Sequence, residues 1–482
     1  MKRFLGLFLV LAILLTPVTA LADFEYESIP TPNLIVVDGD DPSVVFYEKN
    51  ADQRVFPAST TKIMTTLVAL ENGNLDDSFM VGEEVLGTTV KFSSYSSLMG
   101  IQPGETLTLR DLVYGLMLVS GNDAGEAIAK HVAGSIDAFV ALMNQKAAQL
   151  GMTSTHYTNP HGVQNDDHYT TARDMAKLMA YALKNEEFMS IASTKTYTVP
   201  ANNIRSTELV LVNTDRLLNA VATDPYPTVY QYAIGGKTGD TDDAGKCLVC
   251  AAEKDGAKVI YASFGDKADL YNGDKDLTNL SRFINAAKVF ESVFDNAYQR
   301  VTAAELGLQK SFSTGVVGGE ESDLKDGQLT MSARLDDVNI RALPDKIANI
   351  KANAASITAN VVLTAEAQAP ITAGQSMGEV QYQLNGQTIC TVPLVADFAV
   401  NKVLGMEAVP TDDGNVVSVS PESTPLIDRG HKDWDAGDYL TLTFVLLIVL
   451  LVALVVIFVL SERKRRYERK RRSARAKKRR PY

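Results

Sequence analysis

The chain has 482 residues, 46% hydrophobic and 22% charged, with a formal net charge of −12 and three cysteines. That length exceeds what a single core usually spans, so several domains are expected, and the apolar share excludes a largely disordered chain. Three cysteines exclude a disulfide framework, and the acidic balance argues against a nucleic-acid binder.

In chain order, Met1 to Ala22 reads as a secretory signal. Lys2 and Arg3 precede the apolar run Phe4–Leu15, and Ala20-Leu21-Ala22 closes it as a small-x-small cleavage site. Asn33 to Asp38 and Val44 to Glu48 read as a strand hairpin across the turn Asp38-Gly39-Asp40-Asp41-Pro42-Ser43. It delivers the chain to Pro57-Ala58-Ser59-Thr60-Thr61-Lys62, where a helix is expected from Ala58 onward, with Ile63, Leu67 and Leu70 on its buried face. Ser59 falls in the first turn and Lys62 one turn on, along the same side. Helical patterns follow at about 108–132, opened by a Thr108 cap, and at 135–150. The turn Ser120-Gly121-Asn122 interrupts the first, after Leu116-Met117-Leu118-Val119. Helix returns at 171–184. Strands are expected at 208–213, 230–236, 246–253 and 257–264, and a last helix at about 277–298. Strands at both ends with helices between them indicate an α/β sheet sandwiched by helices, with a helical insert.

Lys237-Thr238-Gly239 follows Ile234-Gly235-Gly236. The neighbouring Cys247-Leu248-Val249-Cys250 has the spacing of a metal or redox pair. Three residues apart in a strand point to opposite faces, so these thiols are expected to be structural and no metal site is expected. Cys390 lies far along the chain. The His residues show no metal-ligand spacing, and no His-Glu-x-x-His helix occurs.

Beyond residue 300 the stretches Ser356 to Thr364 and Gly378 to Gln383 suggest a small β-sandwich over 301–405. Residues 406–438, rich in Asp, Pro, Ser and Gly, read as a flexible stalk. Within 439–460, Leu440 to Leu460 runs 21 residues without a charge, enough to span a bilayer. The tail 461–482 carries 13 Lys or Arg against two Glu, which places it in the cytoplasm and the rest outside. Setting aside +11 in the tail and +2 in the leader leaves −25 over residues 23–460.

Ser59-x-x-Lys62, Ser120-Gly121-Asn122 and Lys237-Thr238-Gly239, in this order, resemble the serine nucleophile set of penicillin-recognising enzymes. The words Pro57 to Met64, Ser96-Ser97-Leu98-Met99, Ser120 to Ala124, Asn159-Pro160-His161-Gly162, Thr171-Ala172-Arg173-Asp174-Met175 and Gly236 to Gly245 narrow the resemblance, and His161 in its family-like word reads as a residue shaping the loop beside the active site. They point to the D-alanyl-D-alanine carboxypeptidases, the low-molecular-mass penicillin-binding proteins. The resemblance covers roughly residues 30–300, and 300–400 more loosely. It implies a penicillin-binding, β-lactamase-like transpeptidase fold over 23–300. It also implies a serine enzyme, without cofactor, that removes the terminal D-alanine of peptidoglycan stem peptides and is acylated by β-lactams.

By the same resemblance Ser59 is the nucleophile, Lys62 its base and Ser120 a proton relay. Asn122 binds the substrate amide, Lys237 and Thr238 hold the terminal carboxylate, and Gly239 belongs to the same substrate-binding set. The backbone N–H groups of Ser59 and of Asp240, just beyond Gly239, form the oxyanion hole. Asp240 departs from the family pattern, so its side chain is expected to point away. A transmembrane helix also departs from the commoner amphipathic membrane helix. A class A β-lactamase is disfavoured, since no Glu occurs from Leu150 to Asn185. A DD-endopeptidase, or a penicillin sensor that acylates without turnover, stays open.

Overall fold

A computed structural model describes residues 28–403 apart from 88–91, 93–95 and 337, together with the short strands Val409–Pro410 and Val416–Val417. The expected leader (1–22), membrane helix (439–460) and tail (461–482), and the stalk (406–438) outside those strands, lie beyond the described residues. Among the described residues no helix is long and apolar enough to cross a membrane.

The hairpin forms as expected: β1 (Asn33–Asp38) pairs antiparallel with β2 (Val45–Lys49). The next turn differs from the expected helix start. Ala58–Thr61 is a 3-10 turn, and the α-helix α1 (Lys62–Asn72) begins only at Lys62. The reason is Ala58, whose φ of 47° is left-handed and cannot continue into a regular helix. From Lys62 to Ala69 every α1 side chain is buried, so the helix is a central post rather than a surface element.

A ribbon of β3 (Ser78–Met80) and β4 (Thr106–Thr108) leads into α2 (Leu109–Leu118). Thr108 and Asp111 form the capping box that starts it. α3 (Asn122–Ala133), α4 (Ile136–Gln149) and α5 (Ala172–Ala182) follow. The sequence reading had no counterpart for the short helix α6 (Glu186–Ser193), or for β5 (Thr196–Val199), which pairs with β6 (Leu209–Val212). Both are one or two turns' worth of chain, too short for a clear period.

Then come β7 (Ala233–Thr241), β8 (Gly245–Lys254), β9 (Ala257–Asp266) and the 22-residue α7 (Lys275–Asn296). The strands join the first hairpin in one antiparallel sheet, ordered β2-β1-β9-β8-β7. Alternate residues feed two cores. Ile35, Val37, Cys247, Val249, Ile260 and Ala262 face α1 and its neighbours. Leu34, Val36, Leu248, Cys250, Val259 and Tyr261 face Phe283, Phe290 and Phe294 of α7. The sheet is thus sandwiched by helices, and β7 is its edge.

The remainder is a β-rich body. β10 (Gln299–Thr302) and the single turn α8 (Ala303–Leu306) precede β11 (Ser311–Thr314) and β12 (Leu329–Ala333). β13 (Asn339–Ala342), α9 (Pro344–Ala352), β14 (Thr358–Leu363), β15 (Ser376–Leu384) and β16 (Gln387–Ala396) complete it. Five strands form the sheet β11-β12-β16-β15-β14, and β10 pairs with β13 apart from it. Where a plain sandwich was expected, the smaller layer is this ribbon carrying α9, packed over Val301, Ile340, Ile347 and Ile350. Arg341 ties the body to the β8–β9 turn. Its N–H donates to Asp255 O at 2.8 Å and its Nε to the Asp255 carboxylate at 3.2 Å.

Candidate active site

Three segments meet around the start of α1. Gly162 lets the 159–162 loop reach Ser59's turn: its φ is 86°, and a Cβ there would lie 1.8 Å from Ala58 O. The loop is also held by the Thr65 hydroxyl, which donates to Pro160 O at 2.5 Å. Lys62 is fully buried. Its Nζ lies 2.8 Å from Ser59 Oγ, 2.7 Å from Asn122 Oδ1 and 2.8 Å from His161 O. Burial first, then the positive Lys237, hold the Lys62 amine well below the usual lysine range, with Asp123 opposing. A neutral amine has two N–H groups and one lone pair. The two carbonyl oxygens can accept both N–H groups, which leaves the lone pair for the Ser59 hydroxyl proton.

Ser120 lies in the link between α2 and α3. Its φ of 62° is left-handed, a conformation that costs a non-glycine residue on the order of 1–3 kcal/mol and is kept only where surroundings impose it. Those surroundings are visible. Gly121 N donates to Gly115 O at 3.0 Å, and Asn122 N to Ser97 O at 2.9 Å. The buried Asp123 carboxylate accepts the N–H groups of Met99, Gly100 and Ile101 at 2.8–3.0 Å. Asp123 therefore draws the 97–101 loop against the Ser120 link. The sequence reading included Asp123 in the family-like stretch Ser120 to Ala124 but gave it no role, although an acid at a helix start was a visible cue.

Lys237, Thr238 and Gly239 lie within edge strand β7, where the sequence reading ended the strand just before them. Gly239 permits close approach to the Ser59 turn, since a Cβ there would sit 3.0 Å from Pro57 O and 3.2 Å from Ala58 Cβ. Lys237 is buried, and its Nζ donates to Thr238 O at 3.1 Å. Burial and the nearby Arg282 lower its pKa to about 7, with Asp215 opposing. Thr238 Oγ1 is 3.3 Å from Thr214 Oγ1.

Behind the strand, Arg282 of α7 donates to Gly239 O at 2.8 Å and Cys247 O at 3.2 Å. In the sequence Arg282 reads as one more surface charge on a long helix, so nothing local marked it out. The Asp240 side chain points away as expected: it is half-exposed and forms an ion pair with Lys246, its cross-strand partner.

His161 sits where a loop-shaping residue was expected. Its carbonyl accepts from Lys62, and its buried ring lies 3.4 Å from a Glu126 carboxylate oxygen. Cys247 and Cys250 are buried free thiols on opposite faces of β8, and burial pushes the Cys247 pKa up to about 12. Among the described residues no group of three or more His, Cys, Asp or Glu could hold a metal ion.

Residues 21–268 match the D-alanyl-D-alanine carboxypeptidase family of S11 peptidases, and residues 341–402 match the C-terminal domain of penicillin-binding protein 5. The chain is 33% identical to the D-alanyl-D-alanine carboxypeptidase DacA of Escherichia coli, over 73% of this chain and 79% of that protein. It is 31% identical to DacA of Haemophilus influenzae, over 72% and 79%. DacF of Bacillus subtilis is 36% identical over 47% of this chain, and the match spans about half of that protein, 55%. With the penicillin-binding fold and its C-terminal domain both matched, the chain belongs to the D-alanyl-D-alanine carboxypeptidase family of serine peptidases.

Proposed function

We propose that this protein is a serine D-Ala-D-Ala carboxypeptidase that trims peptidoglycan stem peptides and is acylated by β-lactams. The observation that carries this reading is the buried Lys62 amine, held between Ser59 Oγ and the two carbonyl oxygens of Asn122 and His161.

In this mechanism Lys62 takes the Ser59 proton as Oγ bonds to the carbonyl carbon of the D-Ala-D-Ala amide. The N–H groups of Ser59 and Asp240 hold the developing oxyanion. The C–N bond then breaks as Ser120 gives its hydroxyl proton to the leaving D-alanine amine and recovers one from protonated Lys62, which returns to the neutral amine. Water hydrolyses the acyl-enzyme and restores Ser59. The Asn122 amide binds the substrate backbone. The free edge of β7 suits an extended peptide laid alongside it.

Lys237 and the Thr238 hydroxyl receive the terminal carboxylate. With its pKa near 7, Lys237 gains charge as the anion arrives, since an opposite charge favours the ammonium form. Asp240, paired with Lys246, leaves the pocket without a competing acid.

The catalytic domain is assigned to residues 23–300 and the β-rich domain to 301–405. The signal, the apolar run at 439–460 and the basic tail support export and single-pass anchoring in a bacterial membrane, with catalysis outside the cytoplasm.

Full-length protein incubated with diacetyl-Lys-D-Ala-D-Ala should release D-alanine continuously. Stoichiometric acylation without turnover would replace this reading with a penicillin sensor, and cleavage of cross-linked dimers alone would replace it with an endopeptidase.

A further inference from the structure

Asp215 takes no part in the steps above, yet its carboxylate is buried beside the Lys-Thr-Gly strand, at 1% exposure. Its position is tightly set. Asp215 N donates to Asn213 Oδ1 at 2.9 Å, and Asn213 is itself anchored to Thr194 O at 2.9 Å. Next door, Thr214 N donates to Leu118 O at 3.0 Å while the Thr214 hydroxyl meets that of Thr238. One carboxylate oxygen, Oδ1, accepts from Leu217 N at 2.9 Å. The other, Oδ2, is buried without a hydrogen-bond partner among the described residues.

An asparagine could hold the same turn through its own Oδ1, without a buried charge. Burying a carboxylate with one oxygen unpaired is costly unless a counter-charge compensates it. Two cations lie within its field: Lys237 from β7 and Arg282 from α7. The Cys250 thiol of β8 also faces it but stays neutral, its pKa held well above the usual thiol range by burial. Burial raises the Asp215 pKa to about 6, while the Leu217 N–H and the two cations oppose the rise. Around Lys237, burial and Arg282 favour the neutral amine, and Asp215 is the acid that opposes them.

We propose that Asp215 is a positioning residue that keeps Lys237 protonated, so that the groove accepts substrates ending in a free carboxylate at neutral pH. This rests on the assignment of Lys237 as the carboxylate clamp. Removing the negative charge stabilises the neutral amine, so Lys237 loses its proton at lower pH. The loss matters only above the pH at which Asp215 itself ionises.

The test is the full-length Asp215→Asn variant, assayed with diacetyl-Lys-D-Ala-D-Ala from pH 5 to 9. The alkaline limb of kcat/KM should move to lower pH, through KM rather than kcat, with a loss of roughly tenfold for each pH step of about one that the limb moves. Variant and wild type should converge below about pH 6, which a merely structural defect would not produce. In parallel, the Lys237 side chain is titrated by NMR with 13C-lysine, its resonance identified by its absence in Lys237→Arg. In wild type this signal should inflect twice, once where Asp215 ionises, a readout that does not depend on how the variant folds. In Asp215→Asn the lower inflection should vanish and the titration should move down. A single unperturbed Lys237 titration, alike in both proteins, overturns the proposal. A shifted titration with an unchanged KM profile overturns the clamp assignment instead.

Discussion

The two folded bodies of this chain treat polar groups in opposite ways. Among the described residues every buried polar or charged side chain lies between Thr31 and Ser281, and the β-rich body after residue 298 buries none. That body is held by apolar clusters around Val380, Val392 and Leu394 and around Val301 and Ile340. The first body instead sinks Lys62, Lys237, Asp123, Asp215 and Glu126 among its helices and strands. Charges in a low-dielectric interior cost stability, and they also respond strongly to each other. The difference separates a body whose interior carries charge from one held together by apolar packing alone.

The contrast is most exposed to test at Ser59. Ser59→Ala should fold as wild type and lose D-alanine release by a factor of about 10⁴ or more, together with covalent labelling by a fluorescent penicillin. Stoichiometric labelling of the variant would put the nucleophile elsewhere.

Gly162→Ala tests the close approach behind the site. With Ala58 O in the way, the loop must move and carry His161 O from Lys62, so kcat should fall about a hundredfold. Wild-type kcat in this variant would show that the loop does not position the amine.

Leu394→Ala probes the same contrast from the other side. It should cost about 2–5 kcal/mol in calorimetric unfolding of the β-rich body, with acylation by penicillin unchanged. A parallel loss of acylation would mean that the second body shapes the first.

The smallest effect is expected at the thiols. Cys247→Ala with Cys250→Ala should keep D-alanine release within a few-fold of wild type, and elemental analysis should find no bound zinc in either protein. Zinc at one equivalent in wild type would contradict the structural reading of the pair.

What the sequence disclosed follows the same division. The strand-like stretches Ser356 to Thr364 and Gly378 to Gln383 were legible because the strands they mark, Thr358–Leu363 and Ser376–Leu384, largely turn apolar residues in and polar ones out. The helix α9 was missed there because its nine residues bury only Ile347 and Ile350. In the first body Ser59, Lys62, Ser120, Asn122 and Lys237 stood out through the wording of their motifs. Asp123, Asp215 and Arg282 did not. Each is a charged residue that local pattern assigns to the surface, and only the tertiary arrangement buries Asp123 and Asp215 and brings the partly buried Arg282 behind β7. The left-handed Ala58 and Ser120 were equally hidden, because neither residue type favours that conformation.

At the centre of the first body lie two buried lysines, and the proposed mechanism divides the work between them, Lys62 as a neutral base and Lys237 as a charged clamp. The most direct measurement is the penicillin acylation rate of Lys62→Arg beside that of Lys237→Arg. A guanidinium cannot give up its proton at neutral pH, so Lys62→Arg should not acylate, while Lys237→Arg keeps its charge and should acylate at a reduced rate. Acylation by Lys62→Arg together with an inert Lys237→Arg would contradict the assignment.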